Sequence, residues 1–268
     1  MKINCVIVTY NRLSLLKECI SALKNQTYKI NKIYIINNNS TDGTSDYLQE
    51  LIADSQFVII NLPQNIGGAG GFSEGIKRVV LDGCDWAWIM DDDTIPMNNA
   101  LEELVKGTTV AKNVGYVCSR VVWTDGMIHK MNIPRFDCEN KQHLPINYYS
   151  NLADVLLIRA ASFVSLLINS KAVREVGLPI KEFFIWGDDT EFTTRIYQHG
   201  YVCLYASQST VIHKTTENYI SQLQNAPVEA LWKFQYGFRN DIFLRRMRKK
   251  NFLFFISVIN AYLSLIHI

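Results

Sequence analysis

The stretch that most constrains this chain is Trp86-Ala87-Trp88-Ile89-Met90-Asp91-Asp92-Asp93-Thr94, where an apolar run ends in three consecutive carboxylates. The run from Cys84 to Met90 is short, rich in aromatic residues and bounded by Gly83 and the acids, so it reads as a buried strand. The acids then fall at its carboxyl end, where open α/β sheets hold their ligands. Adjacent like charges repel, and burying them uncompensated is costly. A bound divalent cation removes that cost. An oxygen-rich site suits Mg²⁺ or Mn²⁺, with substrate phosphates completing the shell. Taken alone, the triplet leaves a solvated acidic turn ahead of the next helix equally open.

The surrounding sequence alternates strands and helices. Ile3 to Thr9 is a continuous apolar run, as in a central parallel strand. After the turn Tyr10-Asn11-Arg12, Ser14 is expected to cap a helix carrying Leu15, Leu16, Cys19, Ile20 and Leu23. Lys32 to Ile36 and Phe57 to Asn61 are further strands, separated by a polar loop from Asn37 to Thr44 and a helix through Leu48 and Leu51. Gln64 to Gly71 reads as a glycine-rich loop before a helix from Phe72 to Leu81. Asn99 and Glu102 have the spacing of a capping box. This order predicts a mostly parallel sheet with helices on both faces. The polar loops at Tyr10, Asn37, Asn65 and Asp91 then share one sheet edge. Farther on, Gly115 to Trp123 and Ala161 to Ile168 read as strands, and Asn169-Ser170 as a helix start. Gly126 to Ser150 is expected to form loops over the site. Phe183 to Phe192 is a second aromatic-to-acid junction, and His213 closes a strand-like stretch.

At 268 residues, 48% hydrophobic and 19% charged, the chain describes a folded protein with a sizeable core. A net charge of +2 argues against nucleic acid or another polyanion as an overall partner. The basic residues Lys233, Arg239, Arg245, Arg246, Arg248, Lys249 and Lys250 gather late, ahead of an apolar tail from Phe252 to Ile268 that is short for a bilayer span. None of the six cysteines, Cys138 among them, forms a Cys-x-x-Cys pair, and a reducing cytosol fits them better than a disulfide framework. The amino terminus reads as entering a strand without a signal peptide.

Five motifs in order resemble the family 2 inverting glycosyltransferases of the GT-A fold. They are Val6-Ile7-Val8-Thr9-Tyr10-Asn11-Arg12, Asn38-Asn39-Ser40-Thr41-Asp42-Gly43-Thr44, Asn65-Ile66-Gly67-Gly68, Asp91-Asp92-Asp93 and Gly187-Asp188-Asp189-Thr190-Glu191. Within that family, Asn65 to Phe72 with Met90 to Asp93 is most similar to bacterial galactofuranosyltransferases, with rhamnosyltransferases as near relatives. The resemblance implies a GT-A catalytic domain over residues 1–215. It leaves residues 216–268 as a helical C-terminal region, basic and then apolar, with possible peripheral membrane contact at the inner face of the cell membrane.

It further implies a nucleotide-diphosphate sugar donor and a glycan or lipid-linked acceptor in bacterial cell-surface polysaccharide synthesis. Thr9, Tyr10, Asn11 and Arg12 would face base and ribose, with Asn37, Asn38 and Asp42 completing the nucleoside pocket. Many relatives carry aspartate where this chain has Asn37 and Asn38, so contact with the base would be neutral. Asn65, Gly67 and Gly68 would let backbone approach the diphosphate, and Asp91 and Asp92 would contact the donor. Asp91, Asp93 and His213 would hold Mn²⁺ or Mg²⁺. Asp189 would be the general base supported by Asp188, and Trp186 would stack on a sugar. Glu191 is expected either to bind acceptor or to pair with Arg195, four residues on. The donor expected is UDP-galactofuranose, with dTDP-rhamnose as the alternative. Two other classes stand beside these. A nucleotidyltransferase would want a basic phosphate loop, and no Gly-x-x-x-x-Gly-Lys occurs here. A non-catalytic nucleotide-sugar-binding module would not require the second acid pair.

Overall fold

In the computed structural model, residues 1–137, 154–220, 222–248 and 256 are described. Cys138 and most of the apolar tail lie outside them, as do Lys249 and Lys250. The chain runs β1 (Ile3–Thr9), α1 (Leu13–Lys24), β2 (Lys32–Asn37), α2 (Thr44–Leu51), β3 (Phe57–Asn61), α3 (Gly67–Leu81), β4 (Trp86–Asp91), β5 (Thr94–Pro96) and α4 (Ala100–Gly107). It continues with β6 (Val114–Val122), β7 (Arg135–Phe136), β8 (Val155–Ala160), β9 (Leu166–Asn169), α5 (Ser170–Val176), α6 (Asp188–Gln198), β10 (Val202–His213) and α7 (Trp232–Arg248).

The strands form one sheet in the order β3-β2-β1-β4-β9-β6-β10-β8-β7, with β5 pairing to β10. β1 to β4 are mutually parallel, whereas β9 runs antiparallel between β4 and β6. The chain winds outward from β1 through β2 to β3, then returns to place β4 on the other side of β1. That reversal opens a crevice beyond the carboxyl ends of β1 and β4, where such sheets take ligands. The register sets Val8 beside Asp91 at its mouth.

Alternation along the strands fills both faces. Ile3, Cys5 and Ile7 of β1 join Trp88 and Met90 of β4 against α1 and α4, through Leu16, Leu23, Leu101 and Leu104. Val6, Val8, Ala87 and Ile89 point to the opposite face, under Ile76 and Val79 of α3 and Phe192 and Ile196 of α6. The five described cysteines are free and buried.

Several local expectations are corrected. Ser14 lies inside α1 and does not cap it; Asp42 accepts from the Leu13 amide instead, at 3.0 Å. No capping box forms at Asn99, because Glu102 accepts from Thr27 at 2.7 Å. The glycines of residues 67–71 are the first turns of α3 rather than a loop. The apolar stretch Ala161 to Ile168 is not one strand. It follows β8, turns through Ser165 at φ 58°, and re-enters the sheet as β9. Its uniform hydrophobicity reports burial, which a buried turn shares with a buried strand. Of the segment Gly126 to Ser150, the part through Asp137 is described. It contains a bridge from Val122 to Ile128, a 3-10 turn at Lys130–Asn132, and β7.

The glycines let α3 lie directly on the sheet. A Cβ on Gly75 would stand 2.4 Å from Val6 Cγ1, whereas one on Gly68 would meet nothing within 4 Å. Gly75→Ala is therefore expected to destabilise the fold by about 1–3 kcal/mol, the usual span for overpacking. Gly68→Ala should be neutral or slightly stabilising, since alanine is the better helix former. Urea unfolding of both variants decides. Equal stability of the two would contradict this packing.

Candidate active site

The three aspartates meet different surroundings. Asp91 is half-buried at the crevice, while Asp92 and Asp93 are buried beneath it. Asp92 accepts from Thr9 Oγ1 at 2.7 Å and from the Tyr10 amide at 3.3 Å. Arg12 reaches across from the end of β1 to pair with Asp93 and, at 3.3 Å, with Asp92. Burial pushes Asp91 up to about 6, with the charge of Asp93 adding to the effect. It pushes Asp92 up to about 7 despite Arg12 beside it. Burial acts on Asp93 in the same direction, but His213 and Arg12 outweigh it and hold this carboxyl below the ordinary range.

His213 arrives through strand pairing. β5 follows the aspartates at once and pairs antiparallel with the end of β10, setting His213 opposite Thr94. His213 Nε2 then lies 3.2 Å from Asp93 Oδ1. Its other nitrogen, Nδ1, is 2.8 Å from Asn132 Oδ1. The Nε2 edge of the ring faces Asp93 Oδ1. That oxygen is buried and accepts no hydrogen bond. One ligand atom from each of Asp91, Asp93 and His213 falls within 4.8 Å of the others. Two carboxylate oxygens and an imidazole nitrogen are a donor set for a divalent cation, so the residues present fit one.

A neighbouring histidine was not anticipated. His129 is fully buried, stacks on His213 at 4.5 Å between centroids, and places Nε2 2.9 Å from Thr215 Oγ1. Burial, with the charge of His213, brings it down to about 4, which keeps the ring neutral. His129 and Asn132 both orient His213. Their loop carried no periodic or motif signal by which sequence could find them.

The second acid pair begins α6. Asp188 is buried, while Asp189 is half-buried and open to the cleft. Asp189 accepts from the Thr190 amide. Burial raises the carboxyls of both, Asp188 well above the ordinary range with the Asp189 charge adding to it. The turn before them is strained at Phe184, with φ 64°, and Trp186, with φ 65°, and then passes through Gly187 at φ 87°, which glycine adopts freely. Glu191 does not face the cleft but forms a fork with Arg195, with both contacts at 2.8 Å.

One cleft of about 550 Å³ joins the two acid groups. Arg12, Gly68, Asp91, Asp93, Trp186, Asp188, Asp189 and His213 line it. So do Asn132 and Arg135, from the segment expected to loop over the site, and Lys233 and Asn240 of α7, which no motif marked. Burial and the charge of Arg12 lower the Lys233 ammonium, against Asp91 and Asp93.

The other expected residues do not line the cleft. Asn37 is buried, donating to Asn61 Oδ1 at 2.9 Å and to Ser45 Oγ at 3.0 Å, and accepting from the Ser40 amide. Asn38 clips the entry to α3, accepting from the Ile66 amide and donating to the Gly67 carbonyl, each at 2.9 Å. Asn65 accepts from the Gly67 amide. Asp42 joins the starts of α1 and α2 through Leu13 and Thr44. Tyr10 and Asn11 are exposed along the rim, with Asn11 Oδ1 accepting from the Thr41 amide.

The sheet reverses beside β1, a carboxylate–histidine cluster lies at that reversal, and a second acid pair faces it across one cleft. Residues 5–177 match Glycosyl transferase family 2, and the chain belongs to that family. Among characterised relatives, the galactofuranosyltransferase GlfT1 of Mycolicibacterium smegmatis is 25% identical over 75% of this chain and 68% of its own. That of Mycobacterium tuberculosis H37Rv is 27% identical over 73% and 64%. The fold is shared with the crystal structure of GalNAc-T7 with UDP, GalNAc and Mn²⁺, at TM-score 0.64 and 16% identity over 80% of this chain and 44% of that one. It is shared too with S. aureus TarS 1-349 in complex with UDP, at TM-score 0.61 and 14% identity over 80% and 61%.

The buried acid pair has a stability consequence. A carboxyl raised in the folded state destabilises the fold increasingly as pH climbs from the unfolded value, near 4, through the folded one. Asp188→Asn removes that cost. Its melting temperature should therefore exceed wild type at pH 7.5, with the difference shrinking toward pH 4. A melting temperature below wild type throughout would contradict the assignment of Asp188 as a strained buried acid.

Proposed function

We propose that the chain is a metal-dependent inverting glycosyltransferase that moves a sugar from a nucleotide-diphosphate donor to an acceptor hydroxyl. One observation carries this reading: the Asp91–Asp93–His213 cluster and the Asp188–Asp189 pair face a single cleft. Bound there, a divalent ion would supply positive charge for the departing diphosphate. Arg12 and Lys233 extend positive charge along the same wall. Asp189, open to the cleft and raised by burial, takes the proton from the acceptor hydroxyl as its oxygen attacks the anomeric carbon. Asp188 is the deeper of the two and supports it. Trp186 offers a flat apolar face to a sugar.

UDP-galactofuranose is the donor this reading prefers, supported by the segment Gly67 to Phe72 and by the galactofuranosyltransferases among the relatives. The acceptor is a glycan or a lipid-linked glycan of bacterial surface polysaccharide. Among the described residues, no helix is long and apolar enough to cross a membrane. Contact with the inner face of the cell membrane through residues 216–268 is peripheral in this reading, drawn by their basic residues.

Two outcomes test it. Asp189→Asn should keep UDP affinity in Mn²⁺ and lower transfer by about 10²–10⁴-fold, with a smaller loss for Asp188→Asn. Near-normal turnover by both variants would place the base elsewhere. In thermal-shift titrations with Mn²⁺, UDP should stabilise the protein more than dTDP, since a ligand selective for the native state raises its stability. Preference for dTDP would move the donor to dTDP-rhamnose.

A further inference from the structure

We infer that Asn240 of α7 is a positioning residue for transfer: it fixes the turn that presents Asp188 and Asp189 to the cleft. This makes α7 part of the catalytic unit, and it rests on the reading of Asp189 as base. Asn240 is 2% exposed. Its Nδ2 donates to the carbonyls of Phe183 at 2.9 Å, Ile185 at 3.1 Å and Trp186 at 2.8 Å. Two N–H groups are thus shared among three acceptors. The preceding residue, Arg239, donates to the Glu182 and Phe183 carbonyls at 2.6 and 3.0 Å.

The opposite side of the turn is tied to α3. The Phe184 carbonyl accepts from the Ala69 amide at 3.1 Å. Gly67, at φ +75°, is what allows that approach, since a Cβ there would sit 2.2 Å from the Phe184 oxygen. Every carbonyl from Glu182 to Trp186 is therefore taken by α3 or α7. A backbone with two non-glycine residues at positive φ persists only where its surroundings hold it. The Trp186 ring is held as well, edge-on to Phe234 at 4.8 Å and against Gly237.

Loss of the Asn240 amide removes the three bonds nearest the acid pair and none at Asp91, Asp93 or His213. Its effect should fall on turnover and spare the donor half. An ordinary structural cap would lower stability, donor affinity and turnover together.

The full chain is assayed for hydrolysis of UDP- and dTDP-sugars in Mn²⁺, with water as acceptor, alongside UDP affinity by calorimetry. Asn240→Ala removes the amide. Asn240→Asp keeps its shape with acceptor oxygens, in case the smaller residue fails to fold. Both should lower turnover at saturating donor by on the order of 10²-fold, the cost of an ångström-scale displacement at a reacting group. UDP affinity should stay within about twofold of wild type, and amide exchange should quicken over residues 183–190 alone. Turnover within about threefold of wild type, or affinity and melting temperature falling in step with turnover, would overturn the inference. Asp189→Asn, run in parallel, separates the two readings. If it turns over normally, the base assignment fails whatever Asn240 does. If no donor is hydrolysed by the wild type, the transferase reading falls and this inference with it.

Discussion

The structure depends on how it accommodates three consecutive carboxylates at the end of a buried strand. Left alone they would repel one another in a poorly solvated crevice. Each has its own compensation. Asp92 is held by Thr9, the Tyr10 amide and Arg12, all from the end of the adjacent strand. Asp93 is held between Arg12 and His213. Among the described residues Asp91 has no such partner, and it lines the cleft. The short strand β5 looks minor in the topology, yet its pairing with β10 is what delivers His213 to the aspartates. Oxygens of Asp91 and Asp93 and a ring nitrogen of His213 lie close enough together to hold one cation.

The two halves of the cleft are built differently. The half around Asp91, Asp93 and His213 rests on β1, β4 and β10, whose positions are fixed by sheet register and by packed cores on both faces. The acid pair at the start of α6 sits on a turn with unfavourable backbone angles. That turn is kept in place by hydrogen bonds from α3 and α7 rather than by a sheet ladder. Strain of this kind gathers at functional sites. The region matched by the family, residues 5–177, contains Asp91 and Asp93, and the acid pair of α6 lies beyond it.

Much of this was legible in the sequence. The alternating apolar runs imply the parallel half of the sheet because strand burial leaves a pattern in consecutive residues. The family resemblance singled out Asp91, Asp93, Asp189 and His213, and all four line one cleft. What escaped was the identity of groups whose roles depend on distant partners. Asn37 and Asn38 have the polarity of ligand-binding residues, but their amides are engaged in joining β2 to β3 and α3. The glycines of residues 67–71 read as a flexible loop, though they are there so that a helix can lie against Val8 and Phe184. Asn132 and Asn240 are single polar residues in stretches without a motif. Only the folded chain shows what they touch.

The central claim is that Asp91, Asp93 and His213 share one divalent cation across the cleft from Asp189. Crystals grown with Mn²⁺ and UDP, with data collected at a wavelength where manganese scatters anomalously, test it most directly. The account predicts a single strong anomalous peak at bonding distance from Asp91, Asp93 and His213, with the diphosphate oxygens on its open side. A manganese peak bound elsewhere, or UDP seated in the cleft with His213 still on Asp93 and no metal between them, would contradict it.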